Sequence, residues 1–171
     1  MYEGLTAWDG EHTEGLDGIA GNDDDFVAPS LAESWTTNYA AHVASPSTTK
    51  YEITFNLRPG VTFHDGAPWN AAAAKVNFEQ IMGGTGASGG TYALKGMHDW
   101  MGFTQQLDGW TVIDDMTFKL TFTEYYEAAL RELTFIRPFR MISPAQLPSF
   151  ADGGLSHVRY RKGAPRVHSA T

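Results

Sequence analysis

A mixed α/β fold, of the α+β kind, is predicted by three features of the sequence. Between Tyr51 and Met82 the large apolar residues first fall at every second position (Ile53, Phe55, Leu57, then Val61 and Phe63). They then fall three or four apart: Ala74, Phe78, Ile81 and Met82. A period of two that gives way to 3.6 reads as strand followed by helix. A second alternating stretch, Trp110 to Thr123, is interrupted by Asp114-Asp115-Met116 and reads as a hairpin. Finally, 171 residues that are 42% hydrophobic and 13% aromatic suffice for one domain with a real core.

Taken in order, MYEGLTAWDG reads as a strand, or a helix end, running into the acidic, Gly-rich loop Glu11 to Asp25. Pro29 and Ser30 are placed to open a short helical turn carrying Leu31 and Trp35. Asn38 to Lys50 is small and polar and reads as a loop. Tyr51 to Leu57 is a strand and Arg58-Pro59-Gly60 a turn. Val61 to Phe63 is then a short strand completing a hairpin, closed by His64-Asp65-Gly66. Pro68 to Met82 is a helix, with the Asn70 side chain as its N-cap and Gly83-Gly84 as its end. The link GGTGASGG (83–90) lacks the Gly-Lys-Ser/Thr ending of a phosphate loop. Tyr92 to Phe103 is expected to be a second helix. After the hairpin, Glu124 to Phe135 is expected to be helical, with Tyr126, Leu130 and Leu133 on one face. RPFRMISP (137–144) is extended, and Pro144 to Leu147 starts another helical turn. The pattern dissolves after Asp152.

Charge and composition exclude several classes of function. No stretch approaches 18 consecutive apolar residues, and MYEGLTAWDGEH has neither the basic start nor the apolar run of a secretory leader. There is no cysteine, hence no disulfide framework, thiolate nucleophile or Cys-ligated metal. The net charge of -8 is unevenly spread. Residues 153–171 hold four of the 12 basic residues and no acid, which leaves eight bases against 20 acids in 1–152, a net of -12. Such a body repels a phosphate backbone and argues against nucleic-acid binding. The six histidines (12, 42, 64, 98, 157, 168) form no i, i+4 pair and no HExxH, so no protein-built metal cage is expected. The acids crowd the first 33 residues and the loops, and Ser34 and Ser143 lie in no nucleophile elbow, so no catalytic residues are assigned.

The set with binding chemistry is Trp100 with Arg137 and Arg140. Arg137-Pro138-Phe139-Arg140 puts two guanidinium groups on a stiffened, extended backbone, and Arg suits fixed bidentate recognition of carboxylates. An indole supplies a flat apolar wall or a face for a cation. The alternative is that both arginines pair with acids such as Glu132 or Asp99 while Trp100 sits in the core.

The residues PSLAESW (29–35), YEITFNLRPGVTFHDGAPWNA (51–71) and WTVIDDMTFKLTFT (110–123) resemble the family 5 solute-binding proteins of ABC importers for peptides, opines and nickel. EYYEAALRELTFIRPFRMISPAQL (124–147) is most similar to the nickel-binding members. The resemblance implies a partial first lobe of a two-lobed fold over 1–152, with its inserted small subdomain, followed by an unrelated basic tail, 153–171, expected to be disordered. A shifted reading frame or a fragment would account for that switch in charge. It implies non-covalent binding of a nickel chelate or short peptide, with no catalysis and no resident cofactor, nickel being held only through a small-molecule chelator. Partners would be importer membrane subunits, the location periplasmic, the chain a monomer. By position, Arg137 would hold chelate carboxylates and Trp100 would line the pocket, while the arginine expected just before that tryptophan falls at Met97. One lobe alone leaves those arginines wet, so weak binding is expected. A non-functional fragment, an interaction protein that reuses the lobe through its basic tail, and a small hydrolase are the other readings. Deleting residues 153–171 should leave the melting midpoint of the chain unchanged; loss of a partner's binding in a pull-down with the truncated chain would instead assign the tail an interaction role.

Overall fold

The computed structural model describes residues 3–11, 13–14, 21, 24–82, 101–135 and 139–146. Among them the elements are β1 (Thr6–Trp8), β2 (Val27–Pro29), β3 (Ala32–Thr37), α1 (Tyr39–Ala44), β4 (Tyr51–Leu57), α2 (Ala71–Met82), α3 (Gly102–Gln106), β5 (Leu107–Asp114), β6 (Thr117–Phe122), α4 (Ala129–Glu132) and a 3-10 turn, Pro144–Gln146. The mixed fold predicted from the sequence is what forms.

Strand β4 is the spine. It pairs antiparallel with β3 on one edge and β6 on the other, and β5 completes a four-stranded sheet in the order β3-β4-β6-β5. Its alternation decides which face is buried. Tyr51, Ile53, Phe55 and Leu57 point into the core, and the register sets Tyr51 opposite Phe122, Ile53 opposite Leu120 and Phe55 opposite Phe118. Directly opposed apolar pairs are the stabilising unit of an antiparallel ladder. The other face is polar: Lys119 Nζ meets Glu52 Oε1 at 2.7 Å, and Asn56 donates to Ser34 Oγ. The β5–β6 hairpin turns where expected, with Asp114 Oδ1 accepting the Met116 N–H (2.8 Å), an Asx turn that holds the Asp114 carboxyl below its ordinary range.

Helix α2 lies on the buried face. Asn70 caps it as expected, its Oδ1 accepting the Ala73 N–H at 2.9 Å, and the first helical N–H, from Ala71, is taken by the Asp115 carbonyl of the hairpin turn. Buried Ala71, Ala73 and Ala74 let the helix come close to the sheet. Phe78 then reaches Phe118 (ring centroids 5.3 Å), Trp110 (6.2 Å), Phe103 (6.4 Å) and Phe139 (6.2 Å).

Several expected elements come out differently. The turn over 29–35 is not helical: Ala32–Thr37 is strand β3, with Trp35 opposite Phe55, because the open edge of β4 needs a partner for its backbone groups. The supposed loop 38–50 contains α1. Asn38 organises it, donating to the Lys50 carbonyl (2.9 Å) and accepting from Glu52 N–H (2.8 Å). Val61 to Phe63 is no strand and makes no hairpin with β4, both of whose edges are occupied; it contributes one bridge, Thr62 to Pro68. The turns flanking it do form, with Gly60 and Gly66 at φ of 73° and 84°. The helix over 124–135 shrinks to Ala129–Glu132, since Tyr125 is drawn into a cluster with Tyr51 (5.1 Å) and Tyr39 (4.8 Å). Of the helix expected over 92–103, residues 92–100 lie outside the described residues, and the described chain enters α3 at Gly102.

Because Phe78 is fully buried among four aromatic rings, Phe78→Ala should cost about 3–5 kcal/mol, read as a lowered urea midpoint at unchanged slope.

Candidate functional site

Of the three residues singled out by the sequence, Trp100 and Arg137 lie outside the described residues; Arg140 is described. It belongs to an extended run in which Phe139, Met141 and Ser143 are buried and Arg140 and Ile142 are half-buried, the alternation of a strand. Among the described residues no strand ladder holds this run. The Met141 N–H donates to the Glu3 carbonyl (2.8 Å), and the Asn77 side chain of α2 both accepts from the Ile142 N–H (2.8 Å) and donates to the Ile142 carbonyl (2.8 Å). The Ser143 hydroxyl hydrogen-bonds Asp65 in the His64-Asp65-Gly66 turn, the largest of the causes that hold the Asp65 carboxyl below its ordinary range; the Ala67 N–H adds to it (3.1 Å).

The Phe139 ring stands edge-on to Phe103 at 4.6 Å, and Met101 beside it is fully buried. The stretch that follows Trp100 in the chain is thereby packed on the stretch that carries Arg140. Glu132 secures the first of these: its Oε2 accepts the Phe103 N–H (2.7 Å) and its Oε1 accepts the Tyr126 hydroxyl (2.9 Å). Burial, with the Glu132 carboxylate beside it, pushes the Tyr126 hydroxyl up to about 12. Gly102 has no room for a side chain, since a Cβ there would run into the Tyr126 ring and hydroxyl. Gly4 is similarly confined, a Cβ lying 3.1 Å from the carbonyl oxygens of Leu133, Phe139 and Thr6.

Glu132 is therefore committed to neutral donors and makes no ion pair with Arg140. The Arg140 guanidinium donates one long bond, 3.5 Å, to the Thr134 carbonyl, and no described carboxylate lies within ion-pair distance of it. A half-buried guanidinium with donor capacity left unused by the described residues can receive a carboxylate. Sequence reasoning missed Asn77 and Thr134, placed Tyr126 only on a helix face, and weighed Glu132 as a partner of the arginines where it instead bonds Phe103 and Tyr126. Asp99, the other acid weighed, lies outside the described residues. Asn77 had a signal: it is a polar residue on the face of α2 that also carries Ala73, Ala74, Phe78 and Ile81. Among the described residues no group of three or more His, Asp or Glu could hold a metal ion, and no helix is long and apolar enough to cross a membrane.

Residues 27–162 match the family described as bacterial extracellular solute-binding proteins, family 5 middle. The chain belongs to this family. It is 31% identical over 123 residues to the nickel-binding periplasmic protein of Escherichia coli K12, covering 72% of this chain and 20% of that protein. Against the glutathione-binding protein GsiB of Pectobacterium atrosepticum the identity is 35% over 97 residues, 57% of this chain and 17% of the other. The fold is similar to that of NikA from Brucella suis, solved in complex with Fe(III)-EDTA, with a TM-score of 0.63, 27% identity, and coverage of 90% of this chain and 24% of that one. The chain thus spans about a fifth to a quarter of the length of these relatives, and it corresponds to part of the first lobe of a family 5 solute-binding protein.

Asp65 is ionised more readily in the folded chain than in the unfolded one. Its contribution is present above the unfolded pKa and is lost as pH falls through the lowered folded value. Asp65→Ala should therefore destabilise the chain at neutral pH, and the gap in urea midpoint between it and the unsubstituted chain should close in strong acid.

Proposed function

We propose that this chain is a ligand-contacting part of the solute-binding component of an ABC-type importer, taking a nickel chelate or a short peptide without covalent chemistry. The observation that carries the reading is the Arg140 guanidinium, half-buried and left without a carboxylate partner among the described residues. In a chain with 20 acids, leaving it so favours an anionic guest over an internal partner. Arg137, three residues earlier, adds a second guanidinium, and Trp100 an apolar wall; Met97 stands where another arginine would be expected. Nickel enters here as cargo, held through the carboxylates of its chelator. The nickel-binding relative supports a chelate and the glutathione-binding one a peptide-like guest.

Membership of an extracellular solute-binding family supports a periplasmic or outward-facing location and delivery of the ligand to importer membrane subunits; we take the chain to act as a monomer. The same membership supports a binding role free of catalysis. Full affinity in a two-lobed binder comes from desolvating the ligand as the lobes close, so the first lobe by itself should bind weakly.

The test is a thermal melt of the chain titrated with a nickel–histidine chelate and, separately, with a dipeptide mixture. A ligand that binds only the folded state stabilises it by about 2.7 kcal/mol at a hundredfold excess over its dissociation constant. The midpoint should rise with one of the two probes, and Arg137→Ala should abolish the rise. Retention of the full shift in Arg137→Ala would remove that residue from the site; a midpoint blind to both probes would overturn the reading.

A further inference from the structure

The Phe139–Ile142 run poses a problem that its neighbours solve unevenly. An extended segment presents its N–H and C=O groups alternately to either side, and in a dry setting each must find a partner. On one side Met141 N–H reaches the Glu3 carbonyl. On the other side no strand lies alongside among the described residues; there is helix α2, whose own backbone groups are already used. Asn77 stands in that gap. It is 2% exposed, and its planar amide offers an acceptor and a donor at the spacing of a peptide group. Oδ1 takes the Ile142 N–H and Nδ2 gives to the Ile142 carbonyl, both at 2.8 Å, while the second Nδ2 hydrogen goes back to the Ala73 carbonyl at 2.9 Å. The orientation of the amide follows from chemistry, since an N–H needs an acceptor and a carbonyl a donor.

We propose that Asn77 is a positioning residue for Arg140: by pairing both backbone groups of Ile142 it sets the register of the run, and so determines that Arg140 stands outside the core. This rests on the reading of Arg140 as a ligand contact. The argument is one of period. Side chains alternate along an extended segment, so a slip of one residue would send Arg140 and Ile142 inward and bring Phe139 and Met141 out. Apolar packing at Phe139 and Met141 disfavours the slip but tolerates small sliding, because dispersion contacts are non-directional. The two hydrogen bonds from Asn77 are directional and admit one register. An aliphatic residue would bury well beside Ala73, Ala74, Phe78 and Ile81, so at this position the amide brings specificity more than burial. The Ser143 hydroxyl on Asp65 fixes the following residue in the same sense.

The experiment is a double-mutant cycle on the whole chain: Asn77→Leu, Arg140→Ala and the pair, each titrated with the nickel–histidine chelate by calorimetry. Amide hydrogen exchange at Met141 and Ile142 is followed alongside. Asn77→Leu keeps the branching and heavy-atom count of the side chain while removing both bonds, where Asn77→Ala leaves a void; the urea midpoint of each variant is measured, and titrations are made where it is folded. Arg140→Ala should weaken the chelate about tenfold or more, as loss of a charge-assisted bond does. Asn77→Leu should weaken it comparably, the double variant should be no weaker than either alone, and the Ile142 amide should exchange faster in Asn77→Leu. Additive losses, unchanged affinity in Asn77→Leu, or an Ile142 amide as protected as before would each overturn the positioning role while leaving the ligand site standing. Chelate affinity indifferent to Arg140→Ala would remove Arg140 from the site, and with it the functional role given to Asn77.

Discussion

The ring of Phe78 gathers elements that are far apart in sequence. From the middle of α2 it touches Phe118 and Trp110 on the sheet, Phe103 in α3 and Phe139 in the extended run near the end of the described chain. Each contact closes a long loop, and the entropy of closure rises only slowly with loop length, so one well-placed aromatic hub can hold all four. Its position depends on what lies around it. The alanines at 71, 73 and 74 bring the helix down onto the sheet, and the pairing of β4 with β6 presents a continuous apolar floor from Tyr51 to Phe122. Once that floor and ring are in place, Phe103 and Phe139 meet edge to face, and the stretches that bear the candidate ligand residues become neighbours.

Packing of this kind sets distances well and orientations poorly. Orientation at the site comes from a few polar side chains used as connectors: Asn77 to Ile142, Asp65 to Ser143, Glu132 to Phe103 and Tyr126. Each occupies its partner fully, and Glu132 in particular is spent on an N–H and a phenol. Arg140 consequently keeps its charge uncompensated by any described acid, in a chain whose overall balance is strongly acidic.

What could be read without coordinates divides along the range of the interactions. The strand at 51–57, the 110–123 hairpin, the Asn70 cap and the Gly60 and Gly66 turns all depend on neighbours within a few positions, and all are present. Strand β3 was read as a helical turn because Pro29-Ser30 is a good local opening for one; pairing with β4 outweighs that propensity. Val61 to Phe63 has the alternation of a strand but no free edge to join. The 124–135 helix is cut short because Tyr125 and Tyr126 are claimed by partners outside it. Arg140 stands out in the sequence as a candidate by its chemistry alone, whereas the contacts around it do not, since Asn77 is 65 residues from Ile142 and is defined only by what it touches.

By itself, then, the sequence determined the alternation and the period change that make the sheet and its covering helix, the acidic balance of the chain, and the motifs that mark a family 5 solute-binding protein. These are local or compositional properties, carried by residue type and spacing. Only the tertiary structure decided that β4 would be shared by β3 and β6, that Glu132 would be bonded to Phe103 and Tyr126 and not to Arg140, and that a buried asparagine would pair with the backbone of Ile142. Each of those outcomes is a competition for partners from different elements, some as far apart as the 65 residues between Asn77 and Ile142, and it is resolved only when the chain has closed on itself.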